Sequence, residues 1–289
     1  MLHEQFHLNI SYLRKVIKNI YFRRNKFNTF AAMAENILPP FKKLTHPKTG
    51  QIFMYPEHYT QEHFETALRY KPKPTDIFVC SYPKSGTTWL QNIAWLIVHG
   101  GEDFSENLAK VVPMLECDGA DATESVDDSK YPRIIKCHLP FSSIPYKEQA
   151  KYLYVIRNPK DVIVSYLYHF RGSKQFNCPN LQLDHLLEIF LKGEIAFGDY
   201  FRHVSEWYEQ RNRANILVLC YEDMKEDLRQ NVLKVAKFLG KNYEASLLKN
   251  DEKILKDVLK KSSFSEMSCV PTKWVRMQAI TLKYNEMAL

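Results

Sequence analysis

The chain has 289 residues, 45% of them hydrophobic and 25% charged, with a formal net charge of +7. That length and apolar content suit one large globular domain with a substantial core, or at most two small domains. The positive charge is too mild to argue for a nucleic-acid partner. No apolar run approaches membrane-spanning length, which argues against stable membrane insertion.

Residues 1–30 carry Arg14, Lys15, Lys18, Arg23, Arg24 and Lys26 against a single acid, Glu4, with Leu13, Val16, Ile17 and Ile20 at helical spacing. A basic amphipathic helix of this kind suits a mitochondrial targeting segment or a membrane-surface contact. The plainer expectation, adopted here, is an extension over 1–34 that does not dock on the domain. Beyond Pro39-Pro40 a polar loop is expected to about residue 58, then a short helix over Gln61–Tyr70. The segment Lys71-Pro72-Lys73-Pro74 is a rigid lead-in to the first strand.

Ile77 to Trp89 reads as a buried strand, a tight loop and the first turn of a helix that stops at Gly100-Gly101. The loop holds Lys84, Ser85, Gly86, Thr87 and Thr88. Unpaired N–H groups at a helix start, a glycine allowing close approach, three hydroxyls and one ammonium together suit a phosphate-like anion. The common nucleoside triphosphate loop has its lysine directly after a second glycine, whereas Lys84 precedes the only glycine here. No strand ending in an acid stands out as a Mg²⁺ ligand, so an anionic donor handled without metal is the expectation.

The acidic stretch 102–130, with Asp121, Glu124, Asp127 and Asp128, is expected to be a solvated excursion or lid. Strands follow at Pro132–His138 and Tyr152–Arg157, the second stopped by Asn158-Pro159. A helix carrying Val162, Ile163, Ser165 and Tyr166 comes next, then helices near 183–192 and 199–211. Asn215–Tyr221 is a continuous apolar run suited to a strand buried on both faces. Asp227 and Gln230 form a capping-box signature for a helix ending at Gly240. Alternation of strands and helices predicts an α/β fold, a central parallel sheet flanked by helices. The six cysteines stand singly, and Cys80 and Cys220 lie inside apolar runs, which points to a reduced, cytoplasmic setting.

In such a sheet, ligands bind beyond the carboxyl ends of the strands. That rule gathers Lys84 to Thr88, Lys136, His138, Arg157 and Tyr221 at one edge. Taken singly, each has an ordinary explanation: Lys136 and Arg157 as solvated strand ends, Tyr221 as core, His138 as a structural histidine.

Ser81-Tyr82-Pro83-Lys84-Ser85-Gly86-Thr87-Thr88-Trp89 and Lys136-Cys137-His138-Leu139-Pro140 resemble blocks of the cytosolic sulfotransferases, which usually have threonine where Cys137 stands. Tyr154 to Val162 with Ser165-Tyr166, Tyr221-Glu222-Asp223-Met224 and Ser263 to Met267 resemble further blocks of that family, in the same order. The resemblance covers about residues 35–267, the expected domain, and implies a P-loop-like nucleotide-binding sulfotransferase fold. It implies sulfuryl transfer from 3′-phosphoadenylyl sulfate to a hydroxyl or amine of a small molecule. It further implies that Lys84 binds the donor's 5′ side and stabilises the leaving phosphate, and that His138 is the general base with Lys136 beside it. Arg157 and Ser165 would hold the 3′-phosphate, and Trp89, Tyr221, Ser262 and Phe264 would surround the adenosine. Met114, Phe141, Tyr168 and Phe170 are candidates for an apolar acceptor pocket, with plain core as the alternative.

One departure stands out. The family's Arg-Lys-Gly-x-x-Gly-Asp-Trp segment, which completes the 3′-phosphate grip, is missing after Met267, as is its Lys-Thr-x-x-x-Thr-Val dimer contact. A divergent tail over 268–289 is expected instead, containing Lys273 and Arg276. Losing charge-assisted contacts weakens phosphate binding. The rival expectation is therefore a weakly active or inactive variant that binds nucleotide or apolar ligand without turnover.

Overall fold

A computed structural model describes residues 39–104 and 107–269. The expectations for the basic segment 1–34, for the tail beyond Cys269, and for Lys273 and Arg276 fall outside the described residues. An antiparallel hairpin comes first, β1 (Phe41–Thr45) and β2 (Ile52–Pro56), followed by α1 (Gln61–Arg69). The central sheet is built from β3 (Ile77–Ser81), β4 (Ile134–Cys137), β5 (Lys151–Ile156) and β6 (Ile216–Cys220). Its order is β4-β3-β5-β6, and every pairing is parallel.

The side-chain period of a strand explains the layering. In β3, Phe78 and Cys80 face one layer while Ile77 and Val79 face the other; in β5, Tyr152, Tyr154 and Ile156 oppose Leu153 and Val155. The first layer packs against the hairpin, α1, α5 (Pro159–Gly172), α6 (Leu183–Lys192) and α7 (Tyr200–Tyr208). It is aromatic: Phe78 stacks on Tyr152 at 4.8 Å, and Tyr154 on Trp207 at 4.8 Å. The second layer is aliphatic. It is covered by α2 (Thr87–Val98), α9 (Leu228–Leu239), α10 (Lys241–Leu247) and α11 (Lys253–Lys261). The expected parallel sheet flanked by helices is the architecture found. Among the described residues no helix is long and apolar enough to cross a membrane.

Three expectations are corrected. The stretch read as a polar loop up to residue 58 contains the hairpin, because Leu44, Phe53 and Tyr55 turn inward against Phe64. Residues 102–130 are not a solvated excursion: they contain α3 (Leu108–Val111) and α4 (Leu115–Glu124). Asp121, Glu124 and Asp127 are exposed, while Leu115, Glu116, Cys117 and Thr123 are buried against α1 and β4. Asp128 is engaged by Lys73 at 2.7 Å and Arg133 at 3.7 Å, so part of the acidic run answers buried and nearby cations. Finally, β6 is an edge strand whose Leu217 and Val218 are only half-buried, not a strand covered on both faces.

Two helices come directly after β6. Asp227, preceding α9, accepts from the Gln230 N–H at 2.9 Å, and Gly240 ends that helix. Following β6, α8 (Tyr221–Glu226) starts at once, so Tyr221 sits directly at the strand's end.

Candidate active site at the carboxyl edge of the sheet

Chain order along the sheet reverses at β3, which has β4 on one side and β5 on the other. Crevices at such reversals receive ligands. Lys84 follows β3, His138 follows β4, Arg157 follows β5 and Tyr221 follows β6, so the four strand ends deliver the expected residues to one edge.

The loop after β3 has an unusual backbone. Lys84 has φ of 67° and Gly86 has φ of 102°, both in the left-handed region that side chains other than glycine rarely occupy. Arg157 holds this shape by donating from Nη1 to the Lys84 carbonyl at 3.0 Å. The Arg157 guanidinium lies over the Tyr221 ring, 4.3 Å from its centroid, and Tyr221 meets Trp89 edge-on at 5.3 Å. Trp89 Nε1 donates to the Ser262 carbonyl at 2.7 Å, tying α2 to the end of α11. Ser262 itself is fully buried, with its hydroxyl donating to the Val258 carbonyl, whereas Phe264 on α12 (Phe264–Cys269) is 76% exposed. Ser262 therefore offers this edge a carbonyl through Trp89, with its hydroxyl turned inward.

Gly86 is doubly constrained. A Cβ there would stand 2.6 Å from Tyr221 Cδ2, and the left-handed backbone would strain any side chain. Gly86→Ala is expected to cost about 1–3 kcal/mol of stability and to displace the ring that Arg157 and Trp89 pack on. Chemical denaturation and adenosine 3′,5′-bisphosphate titration measure the two effects; a variant unchanged in both would show that the Tyr221 ring yields freely.

Charge accumulates at this edge. Burial first, then Lys136 and Arg157, lower the Lys84 ammonium to about 8. Lys136 is also lowered by burial, with Glu116 opposing the shift. On α5, half-buried His169 is held well below its ordinary value by burial and then by the charges of Lys84 and Lys136. Two buried polar atoms here lack a partner, Ser85 Oγ and Arg157 Nε. Buried polar groups are normally satisfied, so this cation-rich edge fits an anion bearing several oxygens. Thr87 is engaged by Ser81, their hydroxyls 2.5 Å apart, while Thr88 is half-buried at the helix start.

His138 is held on three sides. Its ring Nδ1 lies 2.7 Å from the Ser81 carbonyl. A carbonyl only accepts, so Nδ1 carries the proton and Nε2 keeps the lone pair. The His138 backbone N–H donates to Glu116 Oε1 at 2.7 Å, and its carbonyl accepts from His203 Nε2 at 3.0 Å. Tyr154 donates to the other His203 nitrogen at 2.9 Å, and burial lowers His203 to about 4, keeping it neutral. Burial, and then the Lys136 charge, press His138 well below the ordinary histidine value. It is therefore a neutral imidazole with one available nitrogen.

Reading along the chain missed Glu116, His203 and Ser81 as parts of this arrangement. Glu116 was available as a lone acid inside the apolar stretch Pro113-Met114-Leu115-Glu116-Cys117, and Ser81 as the first residue of the block around Lys84; His203 has no local signal. Among the apolar candidates, Phe170 is core, 1% exposed and 5.1 Å from the Tyr166 ring, while Tyr168 is 42% exposed. Phe141 packs on Trp207 at 5.3 Å. Met114 forms a bridge beside Lys136, and Phe197, which was not anticipated, meets the His138 ring at 5.3 Å. Among the described residues no group of three His, Cys, Asp or Glu side chains is placed to hold a metal ion.

Comparison with known proteins gives the same direction. Residues 74–286 match the sulfotransferase domain family. Over 220 residues the chain is 36% identical to mouse sulfotransferase 1 family member D1, covering 73% of this chain and 72% of that protein. It is 34% identical to bovine sulfotransferase 1E1 over 234 residues, covering 78% and 76% respectively. The crystal structure of mouse sulfotransferase SULT7A1 complexed with PAP superposes with a TM-score of 0.62 at 27% identity, covering 78% of this chain and 75% of that one. Matching a family across most of its length, with that family's fold and a cation-rich edge where the four parallel strands end, the chain belongs to the sulfotransferases, enzymes that transfer a sulfuryl group to small molecules.

Proposed function

We propose that the sulfuryl donor is 3′-phosphoadenylyl sulfate, and that the acceptor is a hydroxyl or amine of an apolar small molecule deprotonated by His138. The observation that carries this reading is the opposition, across one edge, of a neutral His138 with an available Nε2 and three cations around partnerless Ser85 Oγ and Arg157 Nε. The donor supplies a sulfuryl group whose bond to a phosphate oxygen breaks as the acceptor oxygen or nitrogen takes it.

The residues divide the remaining work. Lys84, Ser85 and the N–H groups around Gly86, Thr87 and Thr88 compensate charge on the 5′ phosphate as it leaves, the preorganised stabilisation that contributes most to such transfers. Arg157 and Ser165 face the 3′-phosphate, with Arg157 already oriented by the Lys84 carbonyl. Trp89 and Tyr221 form an aromatic corner against which a purine packs, flanked by the Ser262 carbonyl and Phe264. His138 Nε2 takes the acceptor proton, while burial, and then Lys136, keep the imidazole neutral beforehand. Phe197 borders His138 and Met114 borders Lys136, and both serve as acceptor wall.

Calorimetric titration with adenosine 3′,5′-bisphosphate should show saturable binding that Arg157→Ala weakens. Donor-dependent sulfation of a phenol, a steroid alcohol and an arylamine should then be measured, with Mg²⁺-ATP as the control nucleotide. Absence of bisphosphate binding together with ATP turnover would overturn the reading.

A further inference from the structure

Glu116 is an acid with no exposed surface, on the first turn of α4 in a segment whose other acids mostly face solvent. One carboxylate oxygen accepts the His138 backbone N–H at 2.7 Å; the other has no hydrogen-bond partner. Burying a carboxylate is costly unless charge or hydrogen bonds oppose it. A glutamine or an apolar residue would fill the same space at lower cost, so the acid has a use at this place. Its surroundings indicate which. The residue whose backbone it holds, His138, immediately follows β4, the strand that carries the cation Lys136.

We propose that Glu116 is a positioning residue of the transfer site, fixing the peptide of His138 by accepting its backbone N–H. It sets where the imidazole ring stands, since the Nδ1–H contact to Ser81 and the His203 contact to the His138 carbonyl are short only if that peptide stays in place. The groups facing the carboxylate are the Lys136 ammonium, the His138 amide, the Cys137 thiol and, at longer range, Tyr55 and Cys80. Burial pushes Glu116 up to about 7, with the His138 amide and Lys136 pulling it back. An oxygen able to accept the His138 N–H is present in either protonation state of the carboxyl.

Two variants separate the contributions. Glu116→Ala removes both the acceptor and the charge; Glu116→Gln keeps an oxygen for the His138 N–H and removes only the charge. Losing one hydrogen bond to a charged group from the site's framework corresponds to a drop in kcat of about 10–100-fold for Glu116→Ala, with bisphosphate affinity and donor KM within about threefold. Glu116→Gln should recover most of that kcat at pH 7. A role in packing alone would not move the His138 amide proton selectively. The kinetic consequence rests on His138 being the base, so the contact is also read without substrate: the His138 amide proton resonance should shift upfield in Glu116→Ala and stay near wild type in Glu116→Gln. An unshifted amide in Glu116→Ala, or wild-type kcat in that variant, overturns the assignment to Glu116. Full turnover by His138→Ala would instead remove the base and leave the amide contact standing.

Discussion

Replacing His138 by alanine lowers sulfuryl transfer by about 10²–10⁴-fold and leaves adenosine 3′,5′-bisphosphate affinity close to wild type. The separation follows from the geometry. His138 follows β4, whereas the residues assigned to the nucleotide follow β3, β5 and β6. The substitution also removes the Nδ1–H contact to the Ser81 carbonyl, but Glu116 and His203 hold the His138 backbone and need no imidazole. Alanine therefore leaves the peptide in place and deletes the base. The acid limb of the wild-type profile gives a second reading. Because burial and Lys136 hold the imidazole below 6.5, its lone pair stays available as the pH falls through that value. Transfer should persist at pH 6, where an ordinary histidine would be mostly protonated. An acid limb centred at 6.5 or above would contradict a buried His138 as the base, and sulfation by His138→Ala at the wild-type rate would exclude it.

How much of this was legible from the sequence depends on whether the signal was local. The strand, loop and helix around Lys84 declare themselves within thirteen consecutive residues, Ile77 to Trp89, because an apolar strand, a glycine and a helix start are all short-range features. The parallel sheet follows from alternation of such units, and the rule about strand ends then brings Lys84, His138, Arg157 and Tyr221 together. The hairpin was less readable. Leu44, Phe53 and Tyr55 point inward only because α1 supplies Phe64 opposite them. The acidic run misled for a related reason: composition averages exposed Asp121 and Glu124 with buried Glu116, and only the packing of α4 on α1 separates them. His203 lies 65 residues from the carbonyl it braces, with nothing near it in sequence to announce the contact. Phe170, open in sequence between pocket wall and core, is core, enclosed by Tyr166 and Phe176. Local backbone chemistry was readable; side chains acting across layers were not.

The same distinction bears on Lys84, whose neighbours decide its chemistry. Lys84→Ala is expected to reduce kcat by about 10²–10³-fold, the loss found when one preorganised charge-compensating donor is removed. Bisphosphate binding should weaken less, because Arg157 and the loop N–H groups remain. The wild-type protein carries a pH signature of this lysine that needs no substitution. Burial, reinforced by Lys136 and Arg157, lowers the ammonium to about 8 in the free protein. As the pH rises through 8 the charge is lost, so kcat/KM for the donor should fall on the alkaline side with a midpoint near that value. Donor phosphates beside the ammonium favour its charged form, so kcat at saturating donor should hold to higher pH. Moving apart of the two alkaline limbs is thus the expected wild-type result. In Lys84→Arg the guanidinium keeps its charge throughout, and the limb in kcat/KM should recede even if turnover at pH 7 is impaired. Coincident limbs in the wild type, unchanged by Lys84→Arg, would assign the alkaline titration to another group, with Lys136 the first to test.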